Sequence, residues 1–110
     1  MSKNKLSNID RLATIVDSVK GQFGLDDIDI QILGLMAEKW QQGKDVRVTD
    51  MTLKFAKDLA SPANVHYRLT KDLVDLKLIK LETSEEDARV KHILKGARFK
   101  ALEEYVGGLL

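Results

Sequence analysis

Between Ser61 and Leu94 the spacing of apolar residues changes once, from the three-to-four of a helix to the two of a strand. Val65, Leu69, Leu73 and Leu76 share one helical stripe, which Ser61 introduces as a hydroxyl cap and Pro62 as the first helical residue. LIKLE (78–82) and RVKHIL (89–94) then alternate, and the polar TSEEDA between them suits a hairpin connection. Just upstream, TDMTLKFAKDL (49–59) carries Met51, Phe55 and Leu59 on one side, with Thr49 as its expected N-cap, and VRV (46–48) reads as a very short strand. Two helices a few residues apart, followed at once by a hairpin, make a helix-turn-helix with a wing.

The flanks are helical. Ile9, Leu12, Val16 and Val19 predict a first helix from about Ser7 to Lys20, broken by GQFG at 21–24. Asp26 or Asp27 caps a second, with Ile28, Ile32, Leu35 and Met36, ending near Trp40 and Gly43. It is apolar nearly all round, as a helix at the centre of a core is. ARFKALEEYV (97–106) predicts a last helix that Gly107 and Gly108 end. The expected fold class is mostly α with a small β-hairpin wing (α+β), one winged helix-turn-helix domain over 1–110 with N- and C-terminal dimerisation helices. The chain's 110 residues suffice for one modest core.

At this point the sequence resembles the MarR family of winged helix-turn-helix regulators over roughly residues 25–105. The residues that carry the resemblance are Val48-Thr49 opening the first motif helix, Ser61 opening the second, Leu69, Leu73 and Leu78-Ile79 leading into the wing, and Asp87-Ala88-Arg89, which looks like the family's acidic-x-Arg wing signature. The resemblance implies that the second motif helix enters the DNA major groove, that Arg89 reaches the minor groove, and that the terminal helices form a two-fold dimer. Two places depart. Lys77 stands where the family usually has Gly at a helix end, so either the turn differs or Lys77 is strained. Leu94-Lys95-Gly96-Ala97-Arg98 is a degraded form of the family's Leu-Thr-x-x-Gly.

The expected DNA-binding residues are Ser61, Asn64, Tyr67, Arg68 and Lys71 on the helix, with Arg89 and Lys91 on the wing. Asn pairs bidentately with adenine, Arg prefers guanine, and Ser, Tyr and Lys hold phosphates. Net charge is only +1, so a nucleic-acid partner has to be argued from local charge. Residues 61–81 hold four cations against two carboxylates, whereas 82–94 hold four carboxylates against two cations. The wing tip is therefore expected to stay off the phosphates, with Asp87 alternatively orienting Arg89 for insertion.

Leu12, Val16, Val19, Leu102, Tyr105 and Val106, with Leu109 and Leu110, are expected to hold a homodimer. Phe99 and Tyr105 are placed where the terminal helices meet a second subunit, Trp40 and Phe55 in the core, and Tyr67 outward. The short terminal helices leave little room for an effector pocket, and no effector is assigned. Asp26, Asp27 and Asp29 complement the helix macrodipole. His66 and His92 read as surface or flank histidines, so no metal and no cofactor are expected. No phosphate-cradling loop, nucleophile elbow or zinc spacing appears, which points to binding rather than catalysis. The absence of cysteine suits a reducing cytoplasm, and no apolar run is long enough to span a membrane. The partner is expected to be double-stranded DNA, read by a transcription regulator. The alternative is a protein-interaction module contacting a polymerase subunit or another regulator.

Overall fold

Helix α2 (Asp27–Gln41) buries Ile32, Leu33 and Met36, while its Trp40 ring meets Phe99 edge-on and its Nε1 donates to the Ile93 carbonyl at 3.2 Å. The computed structural model describes the backbone of residues 2–109 and the side chains of 9–109, so the expected contribution of Leu110 lies outside the described residues. Helix α1 (Ser2–Phe23) packs against α2 and against the last helix, α5 (Phe99–Leu109). Between them come α3 (48–55), α4 (62–75) and the strands β1 (Ile79–Thr83) and β2 (Lys91–Lys95). The strands pair antiparallel, with Ile79 opposite Lys95, Leu81 opposite Ile93 and Thr83 opposite Lys91. Ile32, Met36, Met51, Val65, Leu69, Leu73, Leu78, Ile79 and Ile93 are fully buried in one core, each worth about 1.5–3 kcal/mol of transfer free energy. The winged helix-turn-helix order is as expected.

Several boundaries differ from expectation. α1 runs through Gly21 and stops only at Gly24, whose φ of +69° is left-handed. Burial of Val19 and Phe23 on either side of Gly21 outweighs the ~1 kcal/mol that a helical glycine costs. α5 likewise continues through Gly107 and Gly108, neither of which is left-handed. The expected 46–48 strand is reduced to one bridge, Arg47 opposite His92, supported by the Ile93 N–H donating to the Val46 carbonyl at 2.7 Å. Val48 already begins α3, so Arg47 rather than Thr49 occupies the N-cap position, with no side-chain cap. α3 ends at Phe55 rather than residue 59: it closes with a wide turn in which the Ala56 N–H reaches the Met51 carbonyl. Met51 and Ala56, five apart, are thereby both buried. Phe55, expected in the core, is 39% exposed under the Lys39 ammonium, 4.3 Å from its ring centroid.

Lys77 resolves the first departure from the family pattern. Its φ is +62°, the Leu78 N–H donates to the Leu73 carbonyl, and its own N–H donates to Val74. This is the Schellman closure with a lysine in the position that favours glycine, a conformation costing roughly 1–2 kcal/mol for an L side chain. The degraded segment after β2 keeps the glycine that matters. Gly96 donates to the Leu78 carbonyl at 3.0 Å, Arg98 donates to the Lys77 carbonyl at 2.8 Å, and a Cβ on Gly96 would stand 2.4 Å from that carbonyl oxygen. Denaturant unfolding should therefore show Lys77→Gly more stable by about 1 kcal/mol and Gly96→Ala less stable by about 2 kcal/mol.

Candidate nucleic-acid interface

The outward face of α4 is set by what its other sides hold. Ser61 Oγ accepts the Asn64 N–H at 3.2 Å and Pro62 opens the helix, so this end forms as the sequence predicts. Val65, Leu69 and Leu73 are fully buried and Leu76 is half-buried. Asn64, Tyr67 and Lys71 are exposed on the far side, Tyr67 at 56%. A wide turn interrupts the helix at 68–72, where the Leu73 N–H reaches the Arg68 carbonyl. The Thr70 hydroxyl donates to the His66 carbonyl at 2.8 Å beside it, a bond that bends helices.

Arg68 does not stand free for a base. Its Nη1 donates to both oxygens of Asp26 at 2.7 Å and to Asp29 Oδ1 at 2.8 Å. Its side chain is only 14% exposed and that of Asp29 8%. Arg68, expected to reach a guanine, here forms a clamp between α4 and the start of α2. The two aspartates also form the capping box of α2, with the Asp29 N–H donating to Asp26 Oδ1 at 2.8 Å and the Asp26 N–H to Asp29 Oδ2 at 3.2 Å. Reading them as macrodipole complements missed this second partner, 39 or more residues away in sequence. Asp27, the third acid, pairs with Lys20 at 3.2 Å.

The clamp also fixes Asn64. Arg68 Nε donates to Asn64 Oδ1. Because Nε is only a donor, the amide oxygen must be the atom it holds, and the amide nitrogen faces outward with its two N–H groups. Asn64 is thus presented as a donor, which weakens the expectation of a bidentate adenine contact. Lys71 pairs with Asp75 at 3.1 Å, and that hydrogen bond raises its pKa. The pair lies on the surface and exchanges at little cost.

On the wing, Arg89 is 91% exposed and lies along Asp87, with Nε and Nη2 each donating across 3.2 Å. These bonds lower the Asp87 pKa. Asp87 therefore holds Arg89 along the surface of the wing. Arg89 and exposed Lys91 sit beside α3 and α4, lining one cleft with His66 and Thr70. His92 Nδ1 lies 2.8 Å from Asp45, which also takes Arg47 Nε at 3.2 Å, so the flank histidine ties β2 to the chain before α3. Desolvation opposes ionisation of Asp45, but the bonds from His92 and Arg47 hold its pKa low.

The expected dimer residues separate into two groups. Leu12 is 60% exposed, and Ile9 one turn earlier 61%. Val16, Tyr105, Val106 and Leu109 are half-buried. Val19 and Leu102 are buried in the chain's own core and supply little surface to a partner. Phe99 is also internal, edge-on to Trp40 at 5.2 Å, and Tyr105 packs edge-on to Phe23 at 5.5 Å. An open apolar groove of about 580 Å³, lined by Ile15, Val16, Val19, Leu33, Leu102 and Val106 among others, lies between α1, α2 and α5. Among the described residues no cluster of His, Asp or Glu is arranged to hold a metal, and no helix is long and apolar enough to cross a membrane.

Comparison with solved structures finds this arrangement elsewhere. A mutant of S. aureus MepR bound to an oligodeoxyribonucleotide superposes with a TM-score of 0.72 at 18% identity, over 98% of this chain and 73% of that one. The S. aureus MepR–DNA complex gives 0.70 at 20% identity, over 99% and 76%. Overoxidized AbfR bound to DNA gives 0.57 at 18% identity, over 99% and 76%. The chain shares their fold. No protein-family model and no curated protein sequence matches it.

The clamp has a measurable stability. Arg68→Ala leaves the buried Asp29 carboxylate without its cation and should cost roughly 3 kcal/mol, the low end for a broken buried pair because Asp26 is half exposed. Desolvation opposes ionisation of Asp26, but Arg68 hydrogen bonding holds its pKa below the ordinary 3.8. A lowered folded pKa contributes stability above the unfolded value and loses it as pH falls through the folded one. Unfolding measured from about pH 5 to 2 should show an acid-side loss of stability that shrinks in Arg68→Ala.

Proposed function

We infer that this chain is a MarR-type winged helix-turn-helix regulator that binds double-stranded DNA as a two-fold dimer in the cytoplasm and acts on transcription by occupying its site. The observation that carries this reading is the outward face of α4. It projects Asn64 N–H groups, the Tyr67 hydroxyl and Lys71 from a helix whose opposite side is fully buried. The solved structures that share the fold, at TM-scores up to 0.72, include DNA complexes, which supports the same partner.

In this reading the N-terminal half of α4 lies in the major groove. The Asn64 amide donates to an acceptor on a base edge, such as guanine O6 or N7 or thymine O4. Ser61 and the start of the helix face a phosphate, Lys71 exchanges Asp75 for another, and Arg68 holds the helix without reading a base. Arg89, oriented by Asp87, enters the minor groove, and Lys91 lies against the backbone. Dimerisation is supported by α1, whose apolar stripe begins exposed at Ile9 and Leu12 and ends buried at Val19. With extents of 54 × 27 × 25 Å, the elongated molecule leaves the exposed end of the stripe for a second copy.

Fluorescence anisotropy with a random duplex across a salt series tests the reading. Binding should weaken steeply with salt. Asn64→Ala should lose about 1–3 kcal/mol on a selected site and relax preference at one base pair, whereas Lys71→Ala should weaken all duplexes alike and reduce the salt slope by about 1. No binding at low salt would turn attention to a protein-interaction module. One observation favours that alternative: Leu53 is 58% and Phe55 39% exposed on α3, apolar area that a polymerase subunit or another regulator would cover. Light scattering at micromolar concentration should give a dimer mass for the parent and a monomer mass for Leu12→Asp, and selected sites should have half-sites about one helical turn apart.

A further inference from the structure

His66 and Thr70 lie on the flank of α4 away from Arg68, turned toward the wing rather than toward α2. There they line a cleft of about 380 Å³ with Thr49 and Thr52 of α3 and Arg89 and Lys91 of the wing. The polar groups of this lining are hydroxyls, an imidazole and two cations, and no carboxylate is among the lining residues. Among the described residues the side chains of His66 and Lys91 have no ion-pair or hydrogen-bond partner. Thr52, only 8% exposed, has a buried hydroxyl with no partner either. A buried hydroxyl left unpaired costs about 1–3 kcal/mol, so this one marks a place where an acceptor is missing.

We propose that this cleft is an anion site for a phosphate group, and that the DNA backbone is the source of that phosphate. The second part rests on the DNA-binding reading above. A helix in the major groove has a phosphate ribbon along each flank, and a wing that reaches the neighbouring minor groove must cross one of those ribbons. The cleft is the gap between that flank of α4 and the wing, so it meets the ribbon where it is crossed. A phosphodiester accepts hydrogen bonds and donates none. Thr49, His66 and Lys91 supply donors, Thr52 adds its unpartnered hydroxyl, and Arg89 passes beside the cleft on its way to the minor groove. Thr70 takes no part as a donor, since its hydroxyl is given to the His66 carbonyl.

The test uses duplexes in which single backbone phosphates are replaced by neutral methylphosphonates, with the parent, Lys91→Gln and Thr52→Val compared. For the parent, one neutralised phosphate per half-site should weaken binding by about tenfold. At that position Lys91→Gln should lose less than about threefold, because the contact is already gone, while matching the parent at other phosphates. Thr52→Val should show a smaller change at the same position and nowhere else. Variants that lose as much as the parent at every position would overturn the site. Inorganic phosphate titrated into DNA-free protein, followed by NMR at the His66 ring and the Thr49 and Thr52 methyls, separates the two parts. If the parent binds no duplex, the DNA reading has failed. Saturable phosphate shifts that disappear in Lys91→Gln then retain the cleft as a site for a free phosphate, and their absence removes it.

Discussion

One guanidinium sets the orientation of the surface that matters. Arg68 reaches from α4 to the capping box of α2, where both oxygens of Asp26 and one of Asp29 share the two N–H groups of a single nitrogen at 2.7–2.8 Å. The same side chain turns back along its own helix to hold the Asn64 amide oxygen. A buried ion pair of this kind contributes modest net stability but strongly penalises any arrangement that separates its members. It therefore acts mainly as a positional device: α4 is held at a fixed distance from the start of α2, and an outward amide is fixed in one of its two orientations. The arginine that looks most suited to DNA is committed to the scaffold, and the asparagine beside it gains a defined donor face.

The far end of the motif is held by backbone rather than charge. Lys77 takes the left-handed turn that closes α4, and its carbonyl accepts from Arg98 while Gly96 packs against it without a Cβ. The hairpin is thus hung between the end of α4 and the start of α5. Its second strand is tied to the 45–47 segment through Asp45, Arg47 and His92. Helix and wing share these supports, so the cleft between them has a width set by packed backbone and not by long surface side chains. The strain at Lys77 lies in this turn, which fixes the angle between α4 and β1.

The order of elements was legible because each stripe had one period: Val65, Leu69 and Leu73 became the buried face of α4, and Ile79 and Ile93 the buried face of the hairpin. Ser61, Asn64, Tyr67 and Lys71 fell on the outward side for the same reason. What sequence could not supply was pairing across long separations. Asp26 and Asp29 looked like ordinary first-turn acids because their partner lies 39 or more residues on. Glycine signals also misled, since Gly21, Gly107 and Gly108 lie within helices. Helix propensity of about 1 kcal/mol per glycine yields when apolar neighbours are buried. Val19, Phe99 and Leu102 looked available to a second subunit because periodicity shows that a face is apolar, not which chain covers it.

The most direct measurement is sequence discrimination by Arg68→Lys, taken as the affinity ratio between a selected duplex and a scrambled one. Lysine keeps the charge but lacks the planar fork needed to hold Asp26, Asp29 and Asn64 together. If the clamp orients a DNA-reading face, the parent should bind duplex with a steep salt dependence. The variant should keep most of that dependence while its discrimination falls by about tenfold or more. A parent that binds no duplex at low salt, or a variant that discriminates as well as the parent, would contradict it.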